Sequence, residues 1–331
     1  MPRVATVTEH SLRVAVVGVG HVGSQHARIL SSLAGAELVA TVDIDEGSAI
    51  RAARGTSAKA ETDVAALKGR VDAVIVAVPT KNHLEVARPL LNAGIPVLVE
   101  KPMASNLAEA DEMLAVAEHS GTCLAVGHTE RFNPALTTTL PLVDKPRFIE
   151  VHRLGAYPSR SLDIDVVFDV MIHDLDVILD VLDSDVVSIE AVGVPILSDR
   201  IDIANARIRF ESGCVVNLTA SRISRERVRK IRFFQSGSYL SVDYVKQQAE
   251  HWRLLVDEEG ESTIEGGAIE VTGGEPLERE LADFVLAVRD KRNPTVSGAE
   301  GRRALALAEQ LAPAVGAFKI GKELFVAEGP D

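Results

Sequence analysis

Val14-Ala15-Val16-Val17-Gly18-Val19-Gly20-His21-Val22-Gly23 is the stretch that decides the fold. The unbroken run of small apolar residues predicts a strand buried on both faces, as in a parallel sheet. The spacing Gly18-x-Gly20-x-x-Gly23 predicts a tight turn into a helix whose first N–H groups, around His21 and Val22, face a dinucleotide pyrophosphate. Asp43 closes the next apolar run and follows Gly23 by twenty residues. A carboxylate there accepts a hydrogen bond from a ribose 2′-hydroxyl and repels a 2′-phosphate, so NAD is expected rather than NADP.

Outward from this turn, apolar runs at 13–18, 36–42, 72–78, 96–100 and 122–127 alternate with helical patterns at 22–34, 45–54, 82–93 and 105–119. That alternation is the βαβ signature of a doubly wound parallel sheet. After His128 the rhythm changes to successive alternating segments at 146–153, 186–194, 203–210, 214–220, 229–235 and 238–244. They predict a large, mostly antiparallel open sheet in an α+β second domain, with helices at 166–182, 276–290 and 298–318. The expected organisation is a disordered extension over 1–12, an NAD-binding domain over 13–127, a substrate and oligomerisation domain over 128–297, and a C-terminal helix over 298–331 packing back on the first domain.

Composition narrows the function classes. The 331 residues carry a formal charge of -13, which argues against nucleic-acid or anionic-membrane binding because both require a basic face. There is no apolar run long enough to span a bilayer. Cys123 and Cys214 sit in apolar runs where a free thiol behaves as a small hydrophobe, and a cytoplasmic setting is expected. One segment opposes the acidic trend: Arg222, Arg225, Arg227, Arg229, Lys230 and Arg232 crowd together, either as a solvated charge run or as an anion site.

Two clusters carry candidate chemistry. Glu100-Lys101-Pro102 follows the strand Val97-Leu98-Val99, placing a lysine at the carboxyl end of a sheet strand, where ligands of open parallel sheets bind, so Glu100 and Lys101, with Pro79 on the neighbouring loop, are expected at the cofactor. Val78-Pro79-Thr80-Lys81-Asn82-His83 closes the third strand; Thr80 or Asn82 there is expected to cap a helix, while Thr80 and His83 approach a nicotinamide ribose. In the second half, Asp169 and His173 are four residues apart on the expected helix, an arrangement in which a carboxylate holds the tautomer of an imidazole base. No group at metal-ligand spacing accompanies them.

These motifs, Gly18-x-Gly20-x-x-Gly23, Val78-Pro79-Thr80, Glu100-Lys101-Pro102 and Asp169-x-x-x-His173, resemble those of the glucose-fructose oxidoreductase / inositol dehydrogenase / MocA family over nearly the whole chain. The resemblance implies an NAD-dependent dehydrogenase acting on a sugar or cyclitol hydroxyl. It implies that Lys101 and His173 handle the proton, that Asp169 positions substrate or imidazole, and that a homodimer or homotetramer forms through the open sheet face. Gly127-His128-Thr129-Glu130-Arg131-Phe132-Asn133-Pro134, His152-Arg153-Leu154-Gly155 and the stretch beginning at Arg160 are similar to UDP-N-acetylglucosamine 3-dehydrogenases and related nucleotide-sugar oxidoreductases. On that narrower resemblance Arg131, Asn133, Arg153 and Arg160 are expected to bind substrate, the arginines facing a diphosphate. An inositol or free-sugar dehydrogenase, an NAD-dependent glycosidase and a non-catalytic NAD sensor are the competing readings.

Overall fold

The computed structural model describes residues 11–157 and 164–327, with side chains as far as residue 312. The first sheet is built from β1 (Leu12–Val17), β2 (Ala36–Val42), β3 (Lys59–Glu61), β4 (Ala73–Val76), β5 (Val97–Glu100) and β6 (Leu124–Gly127). Its order is β3-β2-β1-β4-β5-β6 and every pairing is parallel. The strand order reverses between β1 and β4, which makes the crevice at their carboxyl ends the place where such sheets bind ligands. The helices are α1 (His21–Leu30), α2 (Glu46–Ala53), α3 (His83–Asn92) and α4 (Leu107–Ser120). Asp45 accepts the Ser48 N–H at the start of α2, Asn106 does the same for Glu109 at α4, and Gly121 ends α4 in the left-handed region.

A short helix α5 (Pro134–Thr139) leads to the second sheet: β7 (Phe148–Leu154), then α6 (Ile172–Val181), β8 (Val186–Val194), β9 (Ile203–Phe210), β10 (Val215–Ser221), β11 (Val228–Gln235), β12 (Ser238–Asp243), β13 (Gln248–Val256) and β14 (Ser262–Ile269). The order is β14-β13-β12-β11-β7-β10-β9-β8, antiparallel except for the β7–β10 pair. Gly213, in the left-handed region, makes the β9–β10 hairpin turn. On β7 the residues Ile149, Val151 and Arg153 are buried and alternate with half-buried Glu150 and His152, so one face of the sheet lies on the core with α6 while the other carries polar groups.

The chain divides into two units, residues 1–128 with 277–302, and 129–276 with 303–331. This corrects the expected order of segments. The helix that returns to the first sheet is α7 (Pro276–Asp290), whose Leu281 and Phe284 join Val14, Val16 and Leu98 in the first core. Only the first turn of α8 (Gly298–Ala327) belongs to that unit, and its Ala304, Leu307, Ala308 and Leu311 lie in the core of the second. The apolar pattern of 298–318 announced a buried helix but not which sheet it covers. Most of the expected N-terminal extension lies outside the described residues, and β1 begins at Leu12.

Candidate active site

The glycine turn is shaped by where side chains are missing. Gly18 has φ +82°, and a Cβ there would stand 2.7 Å from the Ala77 and Val78 backbone; a Cβ on Gly23 would stand 1.8 Å from the Gly18 carbonyl oxygen. Gly20 is the opposite case, with nothing within 4 Å of its added Cβ. Gly18 and Gly23 are therefore required for closure of β1 onto α1 and β4, whereas Gly20 keeps the backbone bare where a ligand approaches. Beside Gly20 a groove of about 540 Å³ opens between α1 and α2. His21 and Val22 are exposed in the first turn of α1, and Asp43 accepts hydrogen bonds from the backbone N–H of Val19 (2.9 Å) and of Asp45 (3.0 Å). The turn and the acidic strand end are thereby tied into one surface, and these residues fit a dinucleotide with its pyrophosphate over the turn and its ribose at Asp43.

At the end of β5, Glu100 is engaged from beneath. His26, fully buried on α1, brings Nε2 to 2.7 Å from Glu100 Oε1, and the other carboxylate oxygen accepts the Lys101 backbone N–H at 3.1 Å. Burial pushes the Glu100 carboxyl up, but His26 and Lys101 outweigh it and hold it below its usual range. Glu100 is expected at the cofactor; in the structure each of its oxygens accepts one hydrogen bond, which positions the start of the lysine loop. Lys101 itself is half-buried and its bond to Pro102 is cis. His26 was missed, although its place on the buried Gly23-His26-Ala27-Leu30 stripe of α1 marks a polar group that must find an internal partner.

His83 also departs from expectation. It is 1 % exposed, with Nε2 2.9 Å from the Val78 carbonyl and Nδ1 3.1 Å from that of Pro102. Burial lowers its pKa, and a neutral ring carries one N–H to share between these two acceptors. Rather than reaching a ribose, it ties the loop after β4 to the loop after β5. Asn82 stands at the start of α3 without a side-chain cap; in the turn after β4 Thr80 is half-buried and Pro79 exposed.

In the second unit the expected single helix over 166–182 is two elements: a π-turn at Val167–Met171 followed by α6. Asp169 lies in the π-turn and His173 in the first turn of α6, both half-buried, so their four-residue spacing crosses a change of helical pitch that sequence spacing does not reveal. Next to His173, Asp174 is gripped by Arg153 through two hydrogen bonds of 2.6 and 2.8 Å, and the remaining arm of Arg153 reaches Glu130 at 2.8 Å. The Arg153 guanidinium also lies 5.4 Å from the centre of the Tyr244 ring. Burial opposes its charge, yet Asp174 and Glu130 raise its pKa well above the usual value.

Arg153 and Arg131 are therefore corrected as direct diphosphate ligands. Arg153 is 3 % exposed and fully used; Arg131, 6 % exposed, holds Asp180 at 2.6 Å and stands 3.5 Å from Asp176. Asn133, also buried, caps α5 by accepting the Ala135 N–H and donates to the Tyr244 carbonyl. Arg160 lies outside the described residues. These side chains support the α6 helix from its buried side. Glu130 and Asp174 were given no role because nothing in a sequence tells a buried carboxylate from a solvated one.

The comparisons with known proteins agree with this geometry. Residues 12–128 match the model of the oxidoreductase family with an NAD-binding Rossmann fold, and residues 147–239 match the GFO/IDH/MocA C-terminal domain. A UDP-N-acetylglucosamine 3-dehydrogenase of Acidithiobacillus ferrooxidans is 35% identical over 93% of this chain and 98% of its own length. Its solved structure superposes with a TM-score of 0.87, covering 93% of this chain and 99% of that one. The scyllo-inositol 2-dehydrogenase (NAD(+)) of Bacillus subtilis is 29% identical over 65% of this chain and 69% of its length. Glycine turn, acidic strand end, Glu-Lys-Pro loop and the two family domains in sequence lead to one conclusion: the chain belongs to the GFO/IDH/MocA oxidoreductase family and is an NAD-dependent dehydrogenase.

Proposed function

We propose that this enzyme oxidises the 3-hydroxyl of a UDP-N-acetylglucosamine-type nucleotide sugar to a ketone. The observation that carries the reading is the end-to-end similarity to a UDP-N-acetylglucosamine 3-dehydrogenase, which spans the second unit as well as the cofactor unit, whereas the inositol dehydrogenase aligns over about two thirds of either chain. NAD⁺, when bound at the glycine turn and Asp43, supplies the acceptor for the hydride that leaves C3. His173 takes the hydroxyl proton as the C–H bond breaks, and Asp169 orients the substrate or the imidazole. Lys101, held by the Glu100–His26 support, is the second proton-handling group on the cofactor unit. The products are the 3-keto sugar, NADH and one proton.

The test is absorbance of NADH when purified enzyme is mixed with NAD⁺ and UDP-N-acetylglucosamine, free N-acetylglucosamine or inositol, with an aminotransferase consuming the ketone. Turnover of the nucleotide sugar is expected, with His173→Asn and Lys101→Ala each lowering kcat by about 10²–10⁴-fold. Oxidation of inositol alone would overturn the substrate reading; absence of NADH with every compound would favour a glycosidase that retains its cofactor, or a sensor.

The open face of the second sheet supports assembly into a homodimer or homotetramer. Phe148, Phe234 and Tyr239 form an aromatic cluster there with centroids 5.4 and 5.2 Å apart, and Trp252, Leu254, Val256 and Ile264 are exposed on β13 and β14. Light scattering of the purified chain decides it, a monomer being the contrary result. No helix among the described residues is long and apolar enough to cross a membrane, and the two unpaired cysteines support a cytoplasmic setting.

A further inference from the structure

The basic run Arg222–Arg232 is divided by the fold into spent and unspent charge. Arg222 is buried, with Nε 2.9 Å from Asp202 and Nη1 2.7 Å from the Ile164 carbonyl. Lys230 pairs with Asp243 at 3.4 Å and Arg232 with Glu150 at 2.5 Å. Arg225 and Arg227 are exposed on the turn between β10 and β11 and form no ion pair among the described residues. Arg229 is half-exposed and stands directly across the strand pair from Arg153, its one carboxylate partner among the described residues being Glu130 at 3.4 Å, which Arg153 already holds at 2.8 Å.

Around Glu130 and Asp174, then, Arg153 takes Asp174 and most of Glu130, and Arg229 is left with a share of Glu130 while Arg227 adds a like charge beside it. Like charges placed opposite each other on neighbouring strands destabilise a sheet. Burial, Arg153 and Arg227 lower the Arg229 pKa, and Glu130 and Asp174 offset them only in part. The turn is also anchored beside the candidate catalytic helix. Ser224 N–H donates to Gly155, where the chain leaves β7, and Arg222 holds Ile164, just ahead of the π-turn with Asp169. Through Arg153 and Asp174 the cluster adjoins His173.

We propose that Arg229, with Arg227 and Arg225 on the adjoining turn, forms the subsite for the diphosphate of a nucleotide-linked substrate. The inference rests on the nucleotide-sugar reading above and names the residues that would enforce it. A diphosphate supplies the missing negative charge, and guanidinium forks match phosphate oxygens in pairs. The exposed cluster replaces Arg131 and Arg153, whose charge is consumed inside.

The test is calorimetric binding of UDP, with uridine and inorganic pyrophosphate as companions, to the full-length NAD-loaded enzyme. Wild type is expected to bind UDP and pyrophosphate. Arg229→Gln should weaken UDP by about 10–100-fold, the loss of one or two charge-assisted hydrogen bonds, while uridine binding is retained. Arg229→Lys should recover part of the loss, and in turnover the defect should fall on KM for the nucleotide sugar rather than on kcat. Arg225→Gln/Arg227→Gln, at exposed positions with no packing role, should weaken UDP in the same direction even if Arg229→Gln fails to fold. UDP binding unchanged in the double variant and in folded Arg229→Gln would overturn the subsite while leaving the substrate reading intact. Wild type that neither binds UDP nor oxidises the nucleotide sugar would overturn both.

Discussion

The two units build their sites by opposite means. The first relies on absent side chains: Gly18 and Gly23 allow backbone to touch backbone, Gly20 leaves space, and one carboxylate, Asp43, is pinned by two N–H groups. The second relies on buried charge: Arg153, Glu130, Asp174, Arg131 and Asp176 interlock behind the helix that presents His173. A backbone-made site tolerates almost any surrounding sequence provided the glycines stay. A charge-made support tolerates no single loss, because removing one partner strands the other in a low dielectric.

That contrast is breakable by experiment. The largest effect is expected for Arg153→Met, which leaves Glu130 and Asp174 facing each other; denaturant unfolding should register a loss of about 3–5 kcal/mol. Adding Asp174→Leu should restore part of it, and a harmless Arg153→Met would mean that the second unit is not held by charge. Next, Gly23→Ala drives a Cβ to 1.8 Å from the Gly18 oxygen, and should cost on the order of 3 kcal/mol together with NAD binding. Gly20→Ala should leave the melting temperature within the effect of about 0.5 kcal/mol yet weaken NAD in a fluorescence titration. If Gly20→Ala instead destabilised the fold as much as Gly23→Ala, the division of labour within the turn would be wrong.

A smaller effect concerns pH. His83 is held neutral by burial, with its folded pKa below the ordinary 6.5. As pH falls through 6.5 the unfolded chain takes up a proton that the folded ring resists, so stability declines toward acid and is unaffected above that range. Urea midpoints at pH 7.5 and 5.5 should differ less in His83→Gln than in wild type; an equal drop would remove His83 as a contributor. Smallest of all, burial raises both Cys123 and Cys214 to about 11. Neither thiol should react appreciably with iodoacetamide at pH 8 in the native enzyme, as mass spectrometry would record, whereas both should react in urea.

The first unit was legible because its determinants are local. Gly18, Gly20, Gly23 and Asp43 act through backbone conformation and strand order, and both follow from a few neighbouring residues. The place of Lys101 was legible for the same reason, as the residue that follows a buried strand. His83 was misjudged because its partners, Val78 and Pro102, lie on two separate loops. In the second unit Arg131, Arg153 and Asn133 were expected at the substrate and are buried instead, since a motif does not say which side of a helix is covered. The hairpin of β13 and β14 was missed as well: its strands carry Glu250, Arg253, Gly266 and Gly267, and much of both is exposed, so neither burial nor β propensity marks them.

The sequence by itself determined the family, the parallel sheet and its cofactor turn, because glycine spacing and apolar runs act over short range and leave few alternatives. Only the tertiary structure decided which arginines are consumed and which are presented. Arg153 and Arg229 are the same residue type on paired strands, and what separates them is the amount of carboxylate each finds in the folded chain.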